Sequence, residues 1–280
     1  MVTQSASTAP VSTPITTGYA PVNGLQMYYE IHGEGGTPLV VLHGGLFNID
    51  LQFAHLLPAF SEHRQVIACD FQGHGRTNDI DRPFGAAAFA SDVVGLLDHL
   101  GITQADVLGF SIGGAVAIEL AITRPDVVRK LVASSVSFSH DGDRVENAAA
   151  MEGGMSVDMI AGTPMEADYR AKSPHPEKLQ DLLDKLTSSD AGFPGWSEEQ
   201  IRNIAAPTLI TVGDADMVRL DHAIRFLQLR GGDVNGDFAG VPASQLAITP
   251  GTTHFFGYAR ADLIPVLVLP FLDAPMPEAV

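Results

Sequence analysis

Short apolar runs alternate along the chain with longer segments in which apolar residues recur at helical spacing. The strand-like runs are Leu39–Leu42, Val66–Cys69, Ala105–Gly109, Lys130–Ser134, Pro207–Val212 and Gln245–Ile248. A long helix is predicted from about Ala86 to Leu100, with Gly101 as its stop. Strands that alternate with helices are typical of a mostly parallel sheet with helices on both faces. The pattern therefore predicts the α/β class.

The start of the chain combines a polar segment with a hairpin signal. Residues 1–18 are rich in Ser, Thr, Ala and Pro and lack the basic and apolar parts of a secretory signal, so we expect a loose tail on a cytoplasmic protein. Asn23-Gly24 lies between the strand-like runs Tyr19–Val22 and Leu25–Ile31, which predicts a tight hairpin. The sheet should thus begin antiparallel.

The strand-like runs disappear over residues 136–196, where Ser, Asp, Pro and Met become frequent. We interpret this segment, the insertion, as a short helical lid. It divides a core domain made of residues 19–135 and 197–275.

Five residues are candidates for a substrate pocket. Met151, Met155 and Met159 follow one another at four-residue spacing, which predicts one flexible apolar stripe on a helix of the insertion. Trp196 ends the insertion, and Phe255 follows the last strand-like run. The stripe and the tryptophan either pack the insertion on the core or line an apolar pocket.

Residues 109–113 read Gly-Phe-Ser-Ile-Gly and connect a strand-like run to a helix-like one. This is the G-x-S-x-G pattern in a strand–turn–helix setting. A serine on so tight a turn needs neighbours without a bulky Cβ, which Gly109 and Gly113 supply. The turn presents Ser111 as a nucleophile and directs the backbone N–H of Ile112 toward a developing oxyanion.

Two further strand ends carry the partners that an activated serine needs. Asp214 and Asp216 come directly after the run Pro207–Val212, and His254 comes after the last run. Along the chain, the order is serine, acid, histidine, as in a nucleophile-elbow triad. In such a triad the histidine is the general base, and the acid orients its ring.

With these motifs the chain resembles the α/β-hydrolase family from about Tyr19 to Leu272. Asp70–Thr77 is similar to the family's D-x-x-G-x-G-x-S/T stretch. The likeness is greatest to compact bacterial carboxylesterases and enol-lactonases, which carry a short helical lid. Because Ser111 stands where a related dehalogenase or epoxide hydrolase has an aspartate nucleophile, the resemblance implies acyl transfer.

The resemblance also implies roles for single residues. The family pattern G-x-x-D favours Asp216 as the acid and leaves Asp214 as a turn residue that bonds to its own backbone. The H-G-x stretch implies that His43 is structural and that the backbone N–H of Gly45 binds the oxyanion, with Leu46 as the alternative donor. The amide after the nucleophile is the second donor.

Composition narrows the choice of partners. The 280 residues carry a formal net charge of −17, which disfavours nucleic acid as a partner. No stretch approaches the apolar length that a membrane span needs. The remaining histidines lack metal-ligand spacing and the single cysteine lies in an apolar run, so neither a metal nor a cofactor is implied. The sequence leaves the oligomeric state open between a monomer and a homodimer.

Three classes of function stay open. The first is a serine carboxylesterase or lactonase that acts on a small-molecule substrate through an acyl-enzyme. The second is a carbon–carbon bond hydrolase or a perhydrolase of the same fold, and the third is a receptor-like protein that captures a ligand. Arg144 and Arg170 are few cations for recognising the dicarboxylate-like product of a carbon–carbon hydrolase, which favours the first class.

Overall fold

The computed structural model describes residues 12–147, 153–255 and 257–277. These residues form an eight-stranded sheet with the strand order β1-β2-β4-β3-β5-β6-β7-β8. The strands are β1 (Thr16–Val22), β2 (Leu25–His32), β3 (Leu39–Leu42), β4 (Val66–Cys69), β5 (Ala105–Phe110), β6 (Val128–Ser134), β7 (Thr208–Ala215) and β8 (Gln245–Thr253). The β1–β2 and β2–β4 pairs are antiparallel, and the other neighbours pair in parallel. The predicted mostly parallel sheet is confirmed.

β1 and β2 form the hairpin that Asn23-Gly24 predicts. Val22 pairs with Leu25 across the turn. The positive φ angles of 49° at Asn23 and 86° at Gly24 are those of a type I′ turn, whose twist matches that of the flanking strands.

The tail predicted over residues 1–18 is too long. β1 begins at Thr16, which pairs with Ile31, and the amide of Ile15 donates to the Ile31 carbonyl at 2.7 Å. The sheet extends into this polar segment because one face of an edge strand can remain in water. Residues 1–11 lie outside the described residues.

Helices connect the strands. They are α1 (Ile49–Phe53), α2 (Leu57–Phe60), α3 (Ala86–Leu100), α4 (Ile112–Thr123), α5 (Val157–Ile160), α6 (Pro164–Lys172), α7 (Leu179–Ala191), α8 (Glu198–Arg202), α9 (Leu220–Leu229), α10 (Gly236–Ala239) and α11 (Ile264–Asp273), with 3-10 turns at His140–Gly142, Pro176–Lys178 and Gly257–Ala259. α1 and α2 are separate short helices, and Pro58 lies in the first turn of α2, where its missing N–H is tolerated. In the described ranges, no helix has the length and apolar character of a membrane span.

The sheet separates two hydrophobic cores. Along β3, Val40 and Leu42 pack into one core while Leu39 and Val41 pack into the other, because successive strand residues point to opposite faces. α3, α4 and α9 cover the first face, and α1, α2 and α11 cover the second. The predicted layers, with helices on both faces of the sheet, are therefore confirmed.

The insertion contributes α5, α6 and α7 between β6 and β7. The predicted methionine stripe on one helix is wrong, because Gly154 has a φ of 73°, which a right-handed helix cannot contain. Met155 precedes α5, and Met159 lies within it. Met151 lies outside the described residues.

Candidate active site

Ser111 joins the end of β5 to the start of α4. Its φ of 54° and ψ of −119° are strained for a residue with a side chain. A Cβ at Gly109 would lie 2.0 Å from the Gly113 carbonyl oxygen, and a Cβ at Gly113 would lie 2.1 Å from the Leu42 carbonyl oxygen. Backbone packing therefore requires glycine at both positions and holds Ser111 at the carboxyl edge of the sheet.

Ser111, His254 and Asp216 form one hydrogen-bonded chain. His254 Nδ1 lies 2.8 Å from Asp216 Oδ1, and His254 Nε2 lies 3.0 Å from Ser111 Oγ. An ionised carboxylate only accepts, so Nδ1 donates to it, and in the neutral imidazole Nε2 then accepts from the Ser111 hydroxyl. The three residues follow β5, β7 and β8, whose carboxyl ends lie at the same edge of the sheet.

Asp216 is buried, and both of its carboxylate oxygens accept hydrogen bonds. Besides His254, the amide of Val218 donates to Oδ1 at 3.2 Å. The Ser135 hydroxyl donates to Oδ2 at 2.6 Å, and the amide of Gly213 does so at 3.3 Å. Burial alone raises the pKa of Asp216, but the hydrogen bond and the electrostatic interaction with His254, together with the hydrogen bonds from Ser135 and Val218, hold the pKa below its ordinary value. The acid therefore stays ionised beside the ring that it orients.

Asp214 belongs to the neighbouring turn. Its Oδ1 accepts from the amide of Thr252 at 3.2 Å, so it ties the end of β7 to the end of β8 instead of bonding only to its own backbone. Backbone hydrogen bonds, first that of Gly251, hold the pKa of Asp214 below its ordinary value. The structure thus brings Asp216, and not Asp214, to His254.

Ser135 contacts the site but was not predicted from the sequence. It follows β6 with a φ of 49°, and its amide donates to the Thr211 carbonyl at 2.7 Å. Left-handed backbone at a residue with a side chain marks a position that its surroundings constrain. The sequence signal for it is a pair of serines, Ser134-Ser135, directly after an apolar strand.

Buried side chains hold the loop that follows β3, the His43–Leu46 loop. His43 Nδ1 donates to the Gly44 carbonyl at 2.8 Å, and Nε2 accepts from the amide of Phe71 at 3.0 Å. Gln52 Oε1 accepts from the amide of Gly44 at 2.8 Å. Burial and, to a smaller extent, the nearby His74 lower the pKa of His43 well below its ordinary value, so the ring stays neutral. These contacts support the structural role expected of His43, which is to hold this loop.

The His43–Leu46 loop lies against the nucleophile turn. A Cβ at Gly44 would lie 3.3 Å from the Ser111 Cβ, and a Cβ at Gly45 would lie 3.0 Å from Ile112 Cδ1. Leu46 turns the loop with a φ of 63°. Within the part of the chain that the structure describes, the amides of Gly45, Leu46 and Ile112 make no backbone hydrogen bond. These are the three residues whose amides are expected, from the sequence, to bind the oxyanion.

Most of the chain matches one protein family. A sequence profile of the alpha/beta hydrolase fold covers residues 37–238. The chain belongs to this family. It is 28% identical to the serine hydrolase BPHL of Mus musculus over an alignment of 288 residues, which covers 97% of this chain and 91% of that protein.

Other proteins are similar to this chain to different extents. The chain is 30% identical to 2-hydroxy-6-oxo-2,4-heptadienoate hydrolase of Pseudomonas putida over 71% of this chain and 80% of that protein. The enol-lactonase from Burkholderia xenovorans LB400 has the same fold, with a TM-score of 0.70 and 20% identity over 91% of this chain and 100% of that one. A 41% match to the dihydrolipoyllysine-residue acetyltransferase component of acetoin cleaving system of Pseudomonas putida spans 38% of this chain and only 29% of that protein.

Aromatic rings border the Ser111–His254 pair of this α/β hydrolase. The Phe110 ring centre lies 4.9 Å from that of His254, and Phe47 stacks on Phe255 at 6.4 Å. Phe255 is 42% exposed, so this predicted pocket residue lies at the surface beside His254. The wall of the site on this side is apolar.

The other predicted pocket residues have different contacts. Trp196 Nε1 donates to Glu119 Oε2 of α4 at 2.8 Å, and its ring lies 4.7 Å from that of Phe193. Met155 packs on the hydrophobic core, while Met159 is 61% exposed. These contacts favour the packing alternative for Trp196 and Met155, whose neighbours are α4 and core side chains. Met159 faces solvent.

Across the described ranges, no group of three or more His, Cys, Asp or Glu side chains could hold a metal ion. Cys69 is buried in β4, and burial raises the pKa of its thiol.

Proposed function

We propose that this α/β hydrolase cleaves carboxylic esters or lactones through a covalent acyl-enzyme. The observation that carries the proposal is the chain of hydrogen bonds from Ser111 Oγ through His254 to Asp216, with distances of 3.0 and 2.8 Å. It supplies a nucleophile, a general base and an orienting carboxylate in one line.

In the acylation step, Ser111 Oγ forms a bond to the substrate carbonyl carbon while His254 Nε2 takes the hydroxyl proton. Asp216 holds the ring and stabilises the imidazolium. The amides of Ile112 and Gly45 donate to the oxyanion. The bond from carbon to the leaving alcohol then breaks, and His254 gives its proton to that alcohol.

In the deacylation step, a water oxygen forms a bond to the acyl carbon and gives a proton to His254. The bond between the acyl carbon and Ser111 Oγ breaks, and Ser111 takes the proton back. One ester and one water thus give one carboxylic acid and one alcohol, while a lactone gives one hydroxy acid.

Carbon–carbon bond hydrolysis is the second candidate, because a relative at 30% identity is named as a 2-hydroxy-6-oxo-2,4-heptadienoate hydrolase. The side chains near Ser111 favour esters over such an anionic substrate, whose carboxylate needs a cationic partner. Arg144 Nε donates to the Asp216 backbone carbonyl at 2.7 Å, and Arg170 Nε pairs with Glu166 at 2.9 Å. The aromatic rings at the site are uncharged.

The test compares purified wild type and Ser111→Ala on p-nitrophenyl acetate and butyrate, a lactone, and a 2-hydroxy-6-oxo-dienoate. We expect many turnovers of an ester or the lactone by the wild type, and loss of at least about 10³-fold in Ser111→Ala. Ser188→Ala, a change at an exposed serine of α7, is the matched control and should retain the wild-type rate.

Other outcomes would support a different function or overturn the proposal. Turnover of the dienoate alone would support the carbon–carbon hydrolase. Release of about one equivalent of product would support ligand capture. Wild-type rates in Ser111→Ala would overturn the proposal.

A further inference from the structure

α7 of the insertion places Leu186 against the His43–Leu46 loop. A Cβ at Gly45 would lie 3.2 Å from Leu186 Cδ2 and 3.6 Å from Cδ1. The same Cβ would lie 3.0 Å from Ile112 Cδ1. Leu186 is buried and therefore fills space beside the two residues whose amides are the proposed oxyanion donors.

The neighbouring residue fixes this helix on the core. Lys185 Nζ donates to the two Asp79 oxygens at 2.8 and 2.6 Å and to the Ile80 carbonyl at 2.8 Å. It also lies 5.3 Å from the centre of the Phe84 ring. These partners belong to the segment between β4 and α3, so contacts outside the insertion help to hold the helix that carries Leu186.

We infer that Leu186 limits the length of the acyl group that the site accepts, an inference that rests on the proposed ester chemistry. The leaving alcohol receives its proton from His254 Nε2, so the alcohol part lies beside His254. Leu186 contacts the His43–Leu46 loop, which binds the carbonyl oxygen, and therefore borders the acyl part. Wild type should thus prefer short acyl chains.

The test measures kcat/KM on p-nitrophenyl acetate, butyrate, hexanoate and octanoate. Leu186→Ala removes three side-chain carbons and leaves room for about three methylene groups. We expect the ratio of kcat/KM for hexanoate to that for acetate to rise about tenfold or more. Leu186→Phe should lower the ratio of butyrate to acetate. A partly unfolded preparation lowers kcat/KM by the same factor for every ester. The ratios of kcat/KM between two esters therefore stay informative if a variant is less stable.

Leu182→Ala is the matched control, since Leu182 lies one turn earlier on α7, is buried, and lines a different cavity with Gly73, Phe84 and Tyr169. It should keep the wild-type ratios. Ester turnover with equal ratios in Leu186→Ala and Leu182→Ala would overturn the inference alone. So would a shift in preference that follows the alcohol chain instead. If the wild type turns over no ester, the inference and the proposed function fall together.

Discussion

The carboxyl edge of the sheet and the insertion hold their residues near Ser111 in different ways. At the sheet edge, backbone geometry fixes the position of Ser111. Ser111 has a φ of 54°, and the turn leaves no room for a Cβ at Gly109 or Gly113. In the insertion, side-chain contacts hold the helix: Lys185 pairs with Asp79, and Leu186 packs in the core beside it. Changes at the sheet edge should therefore alter the rate, and changes in the insertion should alter selectivity and stability.

The largest effect should come from the acid of the sheet edge. Asp216→Asn keeps the shape of the side chain but favours the imidazole tautomer with its proton on Nε2, which cannot accept from Ser111. We expect kcat on the best ester to fall by about 10²- to 10⁴-fold. Steady-state kinetics of the purified variant measure this loss.

Asp214→Asn is the matched control, two residues earlier in the same turn. It should change kcat by less than about threefold and should act mainly on stability through its bond to the amide of Thr252. A large rate loss in Asp214→Asn, with Asp216→Asn spared, would contradict the assignment of the acid.

Ser135 should have the next effect, because its hydroxyl donates to Asp216 at 2.6 Å. Ser135→Ala should lower kcat by about tenfold and the unfolding free energy by about 1.5–3 kcal/mol at neutral pH, as the loss of a hydrogen bond to a charged group does. Ser134→Ala is the control, since the Ser134 hydroxyl pairs with Thr211 at 2.5 Å instead. Equal kcat losses in both variants would make the role of Ser135 merely structural.

The pH dependence of stability sharpens this prediction. The folded-state pKa of Asp216 is below its ordinary value, so ionised Asp216 stabilises the fold above about pH 4, and this contribution is lost as the pH falls through the folded-state pKa. The difference in unfolding free energy between Ser135→Ala and wild type should therefore shrink below about pH 4. Urea unfolding across the pH range tests this, and a constant difference would contradict it.

The smallest effect should come from the insertion. Lys185→Met should lower the unfolding free energy by about 1 kcal/mol, because the ion pair with Asp79 is partly exposed. That loss should be smaller in about 0.5 M salt, which screens the pair in the wild type. Lys178→Met, a change at an exposed lysine, should shift stability by less than about 0.5 kcal/mol. Equal effects of the two changes would mean that Lys185 does not hold α7.

The contrast between the sheet edge and the insertion also explains how much of the site could be predicted from the sequence. Strand ends, glycine spacing and chain order point to Ser111, to His254 and to two acids, Asp214 and Asp216, because parallel strands bring their carboxyl ends together whatever the side chains between them. The choice of Asp216 came from the resemblance to the α/β-hydrolase family. Ser135 was missed because its contact with Asp216 joins residues 81 positions apart and has no motif.

The insertion was harder to predict because its packing depends on such distant contacts. One of the contacts that hold α7 joins residues 106 positions apart, Lys185 and Asp79. Trp196 donates a hydrogen bond to Glu119 on α4, 77 positions away. The methionine stripe was wrong because the spacing of Met151 and Met155 says nothing of the left-handed Gly154 between them, and because Met155 precedes α5.

The most direct test of the central claim, that the sheet edge activates Ser111 as a nucleophile, is covalent labelling with a fluorophosphonate followed by peptide mass spectrometry. Wild type should carry one adduct, on the peptide that contains Ser111. His254→Ala should label far more slowly, because the general base is missing, and Ser111→Ala should not be labelled. An adduct on another serine, or equal labelling of Ser111→Ala, would contradict the account.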